Sequence, residues 1–258
     1  MKDYSKAEIS AIIAQFTDET EYRHGIGKKF LSQSDVGSLN LNPREFRDSS
    51  DPPLQAFLHG SYYHEAILEP EKIQDYEIVD AKTRNVKAYK EALEASGKPI
   101  LLLKHEKDHL DWLISKTLAN KTVNSLIRAE GNIYEKPGIG KINGEWFKGR
   151  ADIVSPEYGI LDLKTTTDLP KFKYKAKNYF YHAQAYIYST MFGMEFTFIA
   201  VDKKNGNLGV FKCSDAFISA GELAVEKAVE NYRKYFKGKT REEAEKLLDD
   251  RLTYLELY

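Results

Sequence analysis

Cysteine is nearly missing from this sequence: Cys213 is the one thiol in 258 residues. A single thiol excludes an internal disulfide and any four-cysteine zinc or iron–sulfur site. Long apolar runs are missing too. No stretch approaches the ~18–20 residues that a membrane-crossing helix needs. The opening Met-Lys-Asp-Tyr-Ser lacks the apolar core of a secretion signal, so a cytoplasmic protein is expected. Neither sign of charge dominates, since 38 Lys and Arg stand against 39 Asp and Glu for a net charge of −1. That balance argues against holding nucleic acid through overall charge and leaves room for a local positive groove. Internal repeats, a Walker loop, a dinucleotide fingerprint and a nucleophile elbow are all absent.

What is present is an ordinary globular composition, 42% hydrophobic and 30% charged, in a chain long enough to bury a substantial core. The chain is organised around residues 148–166, which read Lys-Gly-Arg-Ala-Asp-Ile-Val, a turn at 155–159, then Ile-Leu-Asp-Leu-Lys-Thr-Thr. Two runs of period-two character around a Ser-Pro-Glu-Tyr-Gly connection predict a β-hairpin. Alternation along a strand puts Asp162 and Lys164 on one face and Leu161 and Leu163 on the other. Asp152, ten positions before Asp162, lies on the paired strand and reaches the same face. Two carboxylates forced together raise each other's pKa, and a divalent cation is the usual remedy. Oxygen ligands suit Mg²⁺ or Mn²⁺ better than zinc. Such an ion can lower the pKa of water and offset charge on a phosphate, while the lysine steadies the attacking hydroxide or the pentacovalent state. The competing reading is a surface hairpin with scattered charges.

Other stretches offer candidates of their own. Residues 7–16 predict a short helix. Ser34 is a candidate N-cap for a helix through Leu39, and with Arg44 and Arg47 nearby it could hold a phosphate or simply cap a surface helix. Leu54, Phe57, Leu58, Tyr62, Ile67 and Leu68 recur at spacings of three and four, predicting a helix that stops near Pro70 and carries His64. His105 and His109, four apart, read as an exposed helical face. Glu135 is a further candidate acid on the first strand of the sheet. Asn143-Gly144 signals a tight hairpin that delivers residues 145–154. Arg150 is either a phosphate contact or half of an ion pair. Lys171, Lys173 and Lys175 alternate with aromatics after the hairpin, as a backbone track with stacking platforms would, or as a wet face would. Gln184 and Tyr188 then stack at i, i+4 on a helix over 179–192. Gln184 either serves the attacking water or a phosphate, or satisfies neighbouring backbone. Residues 195–202 predict a buried strand, and Ser214 or Asp215 caps a long helix to about Phe236. Thr240-Arg-Glu-Glu243 reads as a capping box.

Gly149-Arg150-Ala151-Asp152 followed by Leu161-Asp162-Leu163-Lys164-Thr165-Thr166 resembles the core of the PD-(D/E)XK nuclease superfamily. Gly60-Ser-Tyr-Tyr-His64-Glu-Ala-Ile-Leu-Glu69-Pro70 resembles the histidine helix of RecE-like (exonuclease VIII type) exonucleases. Gln184-Ala-Tyr-Ile-Tyr188 resembles the glutamine-xxx-tyrosine motif shared by RecE-like and RecB-like nuclease domains. Together these pieces run from about residue 31 to about residue 202. The resemblance implies an α+β fold with a restriction-endonuclease-like core, a central mixed sheet flanked by helices and an N-terminal helical extension. It implies one domain over 1–258, with residues 1–130 mainly helical and carrying His64 and 131–258 forming the catalytic sheet.

It further implies a Mg²⁺ site, with Mn²⁺ as substitute, held by His64, Asp152, Asp162 and the Leu163 carbonyl. His64 could alternatively orient a carboxylate ligand. Asp152, Asp162, Lys164 and Gln184 would be catalytic, and Ser34, Arg150, Lys171, Lys173, Lys175 and Tyr188 would contact DNA. The implied activity is degradation of linear duplex DNA from its ends, 5′ to 3′, leaving 3′ overhangs for phage-type recombination. A ring-shaped homo-oligomer (trimer or tetramer) and a RecT-like single-strand annealing partner come with it. Some relatives carry a cysteine-bound cluster, which this chain cannot. Another repair nuclease or endonuclease on this scaffold, and a catalytically idle DNA-binding protein, are the alternatives.

Overall fold

The structure is a computed structural model that describes residues 3–47 and 54–249. Helices α1 (Lys6–Gln15), α2 (Glu19–Arg23), α3 (Gln33–Leu41) and α4 (Leu54–Leu68) come first. A short parallel pair follows, β1 (Ile78–Val79) and β2 (Leu102–Leu103), separated by α5 (Lys87–Ser96). Helices α6 (Lys104–Ala119) and α7 (Lys121–Ile127) lead into the main sheet. Its strands are β3 (Ile133–Ile142), β4 (Glu145–Ser155) and β5 (Gly159–Thr166), then β6 (Phe196–Asp202) and β7 (Leu208–Lys212). Between β5 and β6 the chain crosses over through α8 (Phe172–Asn178) and α9 (Tyr181–Phe192), and after β7 come α10 (Asp215–Tyr235) and α11 (Arg241–Asp249). The five strands lie in chain order, with β5–β6 parallel and the other neighbours antiparallel. This is the mixed, helix-flanked α+β sheet that the resemblance implied.

Local chemistry explains most boundaries. The β3–β4 turn is Asn143-Gly144, both at positive φ (49° and 78°), the left-handed pair that a two-residue hairpin demands. Helix α3 is capped by Ser32, whose hydroxyl and backbone N–H both reach the Asp35 carboxylate at 2.8 and 2.7 Å. That corrects the expectation for Ser34, which lies inside the helix. The reciprocal cap succeeds two residues earlier because Asp35 stands at the third helical position. The 240–243 box forms as expected, Thr240 N–H donating to Glu243 at 2.7 Å and Glu243 N–H to the Thr240 hydroxyl at 3.2 Å.

The alternating strands sort their side chains into two cores. Ile153, Leu161, Leu163, Ile199 and Val201 meet Tyr63 and Ile67 of α4 and Leu110 and Leu113 of α6. Val154, Ile160, Phe196, Phe198 and Ala200 meet α3, α9 and α10 on the opposite face. Glycine makes one close approach possible: a Cβ on Gly149 would sit 2.5 Å from the Tyr188 ring, which lies across β4.

Candidate metal-dependent active site

The site lies where β4 and β5 part. Their backbone pairing ends at Ile153↔Leu161, so Asp152 and Asp162 are the next opposed residues, with no ladder bond between them. The Leu163 N–H that the ladder would have used donates instead to Asp152 Oδ2 at 2.7 Å. His64, from α4, brings Nδ1 to 3.1 Å of that same oxygen. On the other side of Asp152, Tyr134↔Ile153 and Lys136↔Ala151 pairing sets Glu135 opposite Asp152. Glu135 holds φ at 47°, a left-handed conformation that a glutamate rarely adopts and that costs on the order of 1 kcal/mol. One ligand atom each from His64, Glu135 and Asp152 falls within 4.8 Å of the others. These three open onto a cavity of about 980 Å³ that Glu65, Glu69 and Arg150 also line.

Behind them stands a second group. Lys164 Nζ lies directly against Asp162 Oδ1, and Gln184 Nε2 donates to Asp162 Oδ2 at 2.5 Å. Asp162 Oδ1 is buried, and the Lys164 ammonium is the charge beside it. The Lys164 ammonium also stands 5.0 Å from the Tyr181 ring centroid and 5.9 Å from that of Phe198.

Burial and crowding set the electrostatics. Burial, then Asp152, pushes Glu135 up to about 8, and the same two causes push Asp162 up to about 6. Burial would raise Asp152 also, but the His64 imidazole, Lys164 and the Leu163 N–H outweigh it and hold it below its ordinary value. Burial would strip the proton from His64 and from Lys164. Asp152 reverses this for the histidine and Asp162 for the lysine, and both end above their ordinary values. Carboxyls whose pKa is raised by burial and by a neighbouring carboxylate are groups whose ionised form a divalent cation would favour. An imidazole and two carboxylates converging on one point suit Mn²⁺ and Mg²⁺, so the donor set fits such an ion.

The family model for the PDDEXK-like domain of unknown function (DUF3799) matches residues 37–246. This chain belongs to that family. No curated protein matches the sequence. Among solved structures, the chain is similar to a "putative exonuclease" from Eubacterium rectale, at 14% identity over 93% of this chain and 95% of that one, with a TM-score of 0.60. A second, weaker likeness is to SSO0001, at 12% identity over 69% of this chain and 87% of that one, with a TM-score of 0.31. At such identities the Eubacterium rectale structure supports the PDDEXK-like fold and nothing finer.

Within this PDDEXK-like domain several expected contacts fall elsewhere. Arg150 is the ion-pair half of its two readings: Nη1 meets Glu19 Oε2 at 2.6 Å, Nη2 donates to the Phe16 carbonyl at 3.0 Å, and the guanidinium stacks 4.2 Å over Tyr22. Tyr188, expected against DNA, is only 7% exposed; its hydroxyl bonds the Arg150 N–H and carbonyl at 3.1 and 3.2 Å and pins α9 to β4. Ser34 bonds the Ser32 hydroxyl at 3.0 Å. Arg47 is spent on the Lys28 and Phe30 carbonyls and on Asp35, and Arg44 on Asp249, so among the described residues no free phosphate cradle forms there. Lys173 and Lys175 do flank the exposed Tyr174, but on helix α8, with Lys171 at its N-cap, a helix not expected from the sequence. Phe172 and Ala176, buried at i, i+4 among four lysines, were the signal for it.

Proposed function

We propose that this protein is a divalent-metal-dependent exodeoxyribonuclease that degrades linear double-stranded DNA from its ends. The observation that carries the proposal is the convergence of His64, Glu135 and Asp152, from three separated segments, beside the Asp162–Lys164–Gln184 group. Polarity (5′ to 3′, leaving 3′ overhangs for phage or prophage recombination), a ring of three or four copies and a RecT-like annealing partner rest on the RecE-like resemblance. His64, Glu135 and Asp152 would hold the cation, with Asp162 and the Leu163 carbonyl as further ligands. Bound there, Mg²⁺ or Mn²⁺ supplies Lewis acidity toward a phosphodiester and toward water.

The chain's own residues supply the rest. Lys164, kept protonated by Asp162, is a fixed cation for the negative charge that builds on phosphorus-bound oxygens. Gln184 donates to Asp162 and holds its carboxylate toward Asp152. Asp152 is oriented from two sides, by the Leu163 N–H and by His64. In the reaction the water oxygen adds to phosphorus and gives up a proton to solvent, the bond to the leaving sugar oxygen breaks, and that oxygen takes up a proton from solvent.

The test is nucleotide release from linear and closed-circular duplex DNA with Mg²⁺ or Mn²⁺. Linear DNA should be consumed and closed circles spared, while Lys164→Ala should cut the rate by at least about 10³ with the circular dichroism spectrum unchanged. Cutting of closed circles would replace the exonuclease by an endonuclease. An active Lys164→Ala variant would remove the catalytic assignment.

A further inference from the structure

Helices α8 and α9 are joined through Phe180, which sits at φ 56° and ψ 30°, a left-handed conformation that a bulky side chain seldom takes. Non-glycine residues hold such angles when their surroundings require it, and they collect at functional sites. The kink has a visible product. The Phe198, Tyr181 and Tyr179 rings climb from the sheet to the surface, with centroids 5.4 and 5.8 Å apart and planes tilted by 29° and 37°. Phe198 is buried at the foot and Tyr179 is 60% exposed at the top. Beside this ladder the Lys164 ammonium, paired with Asp162, stands 5.0 and 5.9 Å from the centroids of its two lower rings, and α8 adds Lys177 and Lys173, the latter 4.9 Å over the Tyr174 ring, neither of which forms an ion pair among the described residues. Lys171 is less free, being 3.2 Å from Asp168, and Lys175 donates to the Thr167 hydroxyl at 3.0 Å.

We propose that Tyr179, backed by Tyr181 and Phe198, is a stacking platform for an unpaired base of the DNA strand whose phosphate meets Lys164. The proposal rests on the nuclease reading and adds to it a substrate feature: the strand end is single-stranded where it is held. A base inside a duplex has neighbours on both faces and a blunt end offers only a paired base, so an unpaired base comes from a frayed or tailed end. An aromatic ring with an open face next to unpaired lysines matches what single-stranded nucleic acid asks for, a π surface for the base and cations for the backbone. Each nucleotide of a stacked strand advances about 3.4 Å along the axis, so the Lys164–Tyr181–Tyr179 spacing places the platform about one to three nucleotides from the lysine. Tyr179 is thus a positioning residue.

The experiment uses a duplex with a short single-stranded tail bearing 2-aminopurine as its last base, bound by the full chain in EDTA. Stacking should quench the fluorophore. Tyr179→Ala should abolish the quench and weaken binding of the tailed duplex by about tenfold, in line with the worth of one stacked base. Tyr179→Trp should restore both, and blunt duplex should bind the variants alike. In turnover, Tyr179→Ala should raise KM for the tailed substrate and leave kcat unchanged. No quench with the parent protein, or a quench that survives Tyr179→Ala, overturns the platform whatever the activity. A Tyr179-dependent quench in a protein that hydrolyses nothing keeps the platform and defeats the nuclease reading.

Discussion

The two flanks of the Asp152–Asp162 pair are built from opposite materials. The cavity on the His64 side is lined by Glu19, Glu65, Glu69, Glu135 and Asp152. The cations there are matched already: Arg150 by Glu19 at 2.6 Å, Lys72 by Glu69 at 2.6 Å and Lys98 by Glu77 at 3.2 Å. The α8 side carries four lysines in seven residues, with Tyr174 and Tyr179 64% and 60% exposed. A surface cation that is already paired gives a phosphate little unless its partner is drawn away, as a bound metal would draw Asp162 from Lys164, whereas an unpaired one gives its whole charge. On the proposed function, the acid-lined cavity would take a small hydrated cation and the lysine side the polyanion. Net charge near zero hides this division, since the two flanks cancel.

The largest effect that could break the comparison is on the cation. Glu135→Gln should weaken Mn²⁺ binding on the order of 10- to 100-fold by calorimetry. The same residue gives the metal-free protein a pH signature. Its carboxyl goes from an ordinary 4.5 to about 8 in the fold, and that of Asp162 from 3.8 to about 6. A carboxyl whose folded pKa is raised stabilises the fold fully below its unfolded value and loses that contribution as pH climbs through the folded value. Metal-free protein should therefore melt several degrees lower at pH 8 than at pH 5. Mn²⁺ should remove the slope and Glu135→Gln should flatten it. A melting temperature that rises over that interval would mean that the acids are not crowded as described.

A middle-sized effect separates the flanks by salt. Lys173→Ala should lower the steepness of log K against log salt by about one unit, the signature of one lost phosphate contact. Arg150→Ala should leave that slope alone and show up in thermal stability instead. Equal slopes for the two variants would erase the division between the flanks. The smallest effect sharpens the picture of Tyr188: Tyr188→Phe should cost about 1 kcal/mol in urea unfolding, with DNA affinity unchanged.

The sheet and the residues at its centre were legible because their signals are local. Period two sorted Leu161 and Leu163 from Asp162 and Lys164, and Asn143-Gly144 named its own turn. His64 was legible only through its resemblance to a motif, since no spacing rule ties α4 to β4. Glu135 was a weak candidate in sequence because one glutamate before a turn has no pattern; its position follows from β3–β4 register. The pairing of Arg150 with Glu19 joins positions 131 apart, and nothing local announces such a contact. The same holds for Tyr188, whose hydroxyl answers backbone groups on a strand 38 positions earlier.

The interrupted rung between β4 and β5 has a practical side. Asp152 spans the gap by accepting the Leu163 amide, so its carboxylate serves as a staple as well as a proposed ligand. An asparagine keeps an oxygen for the staple while giving up the negative charge, whereas an alanine would leave a buried amide hydrogen with nowhere to go. Asp152→Asn is accordingly the substitution of choice for freezing a DNA complex in an intact fold.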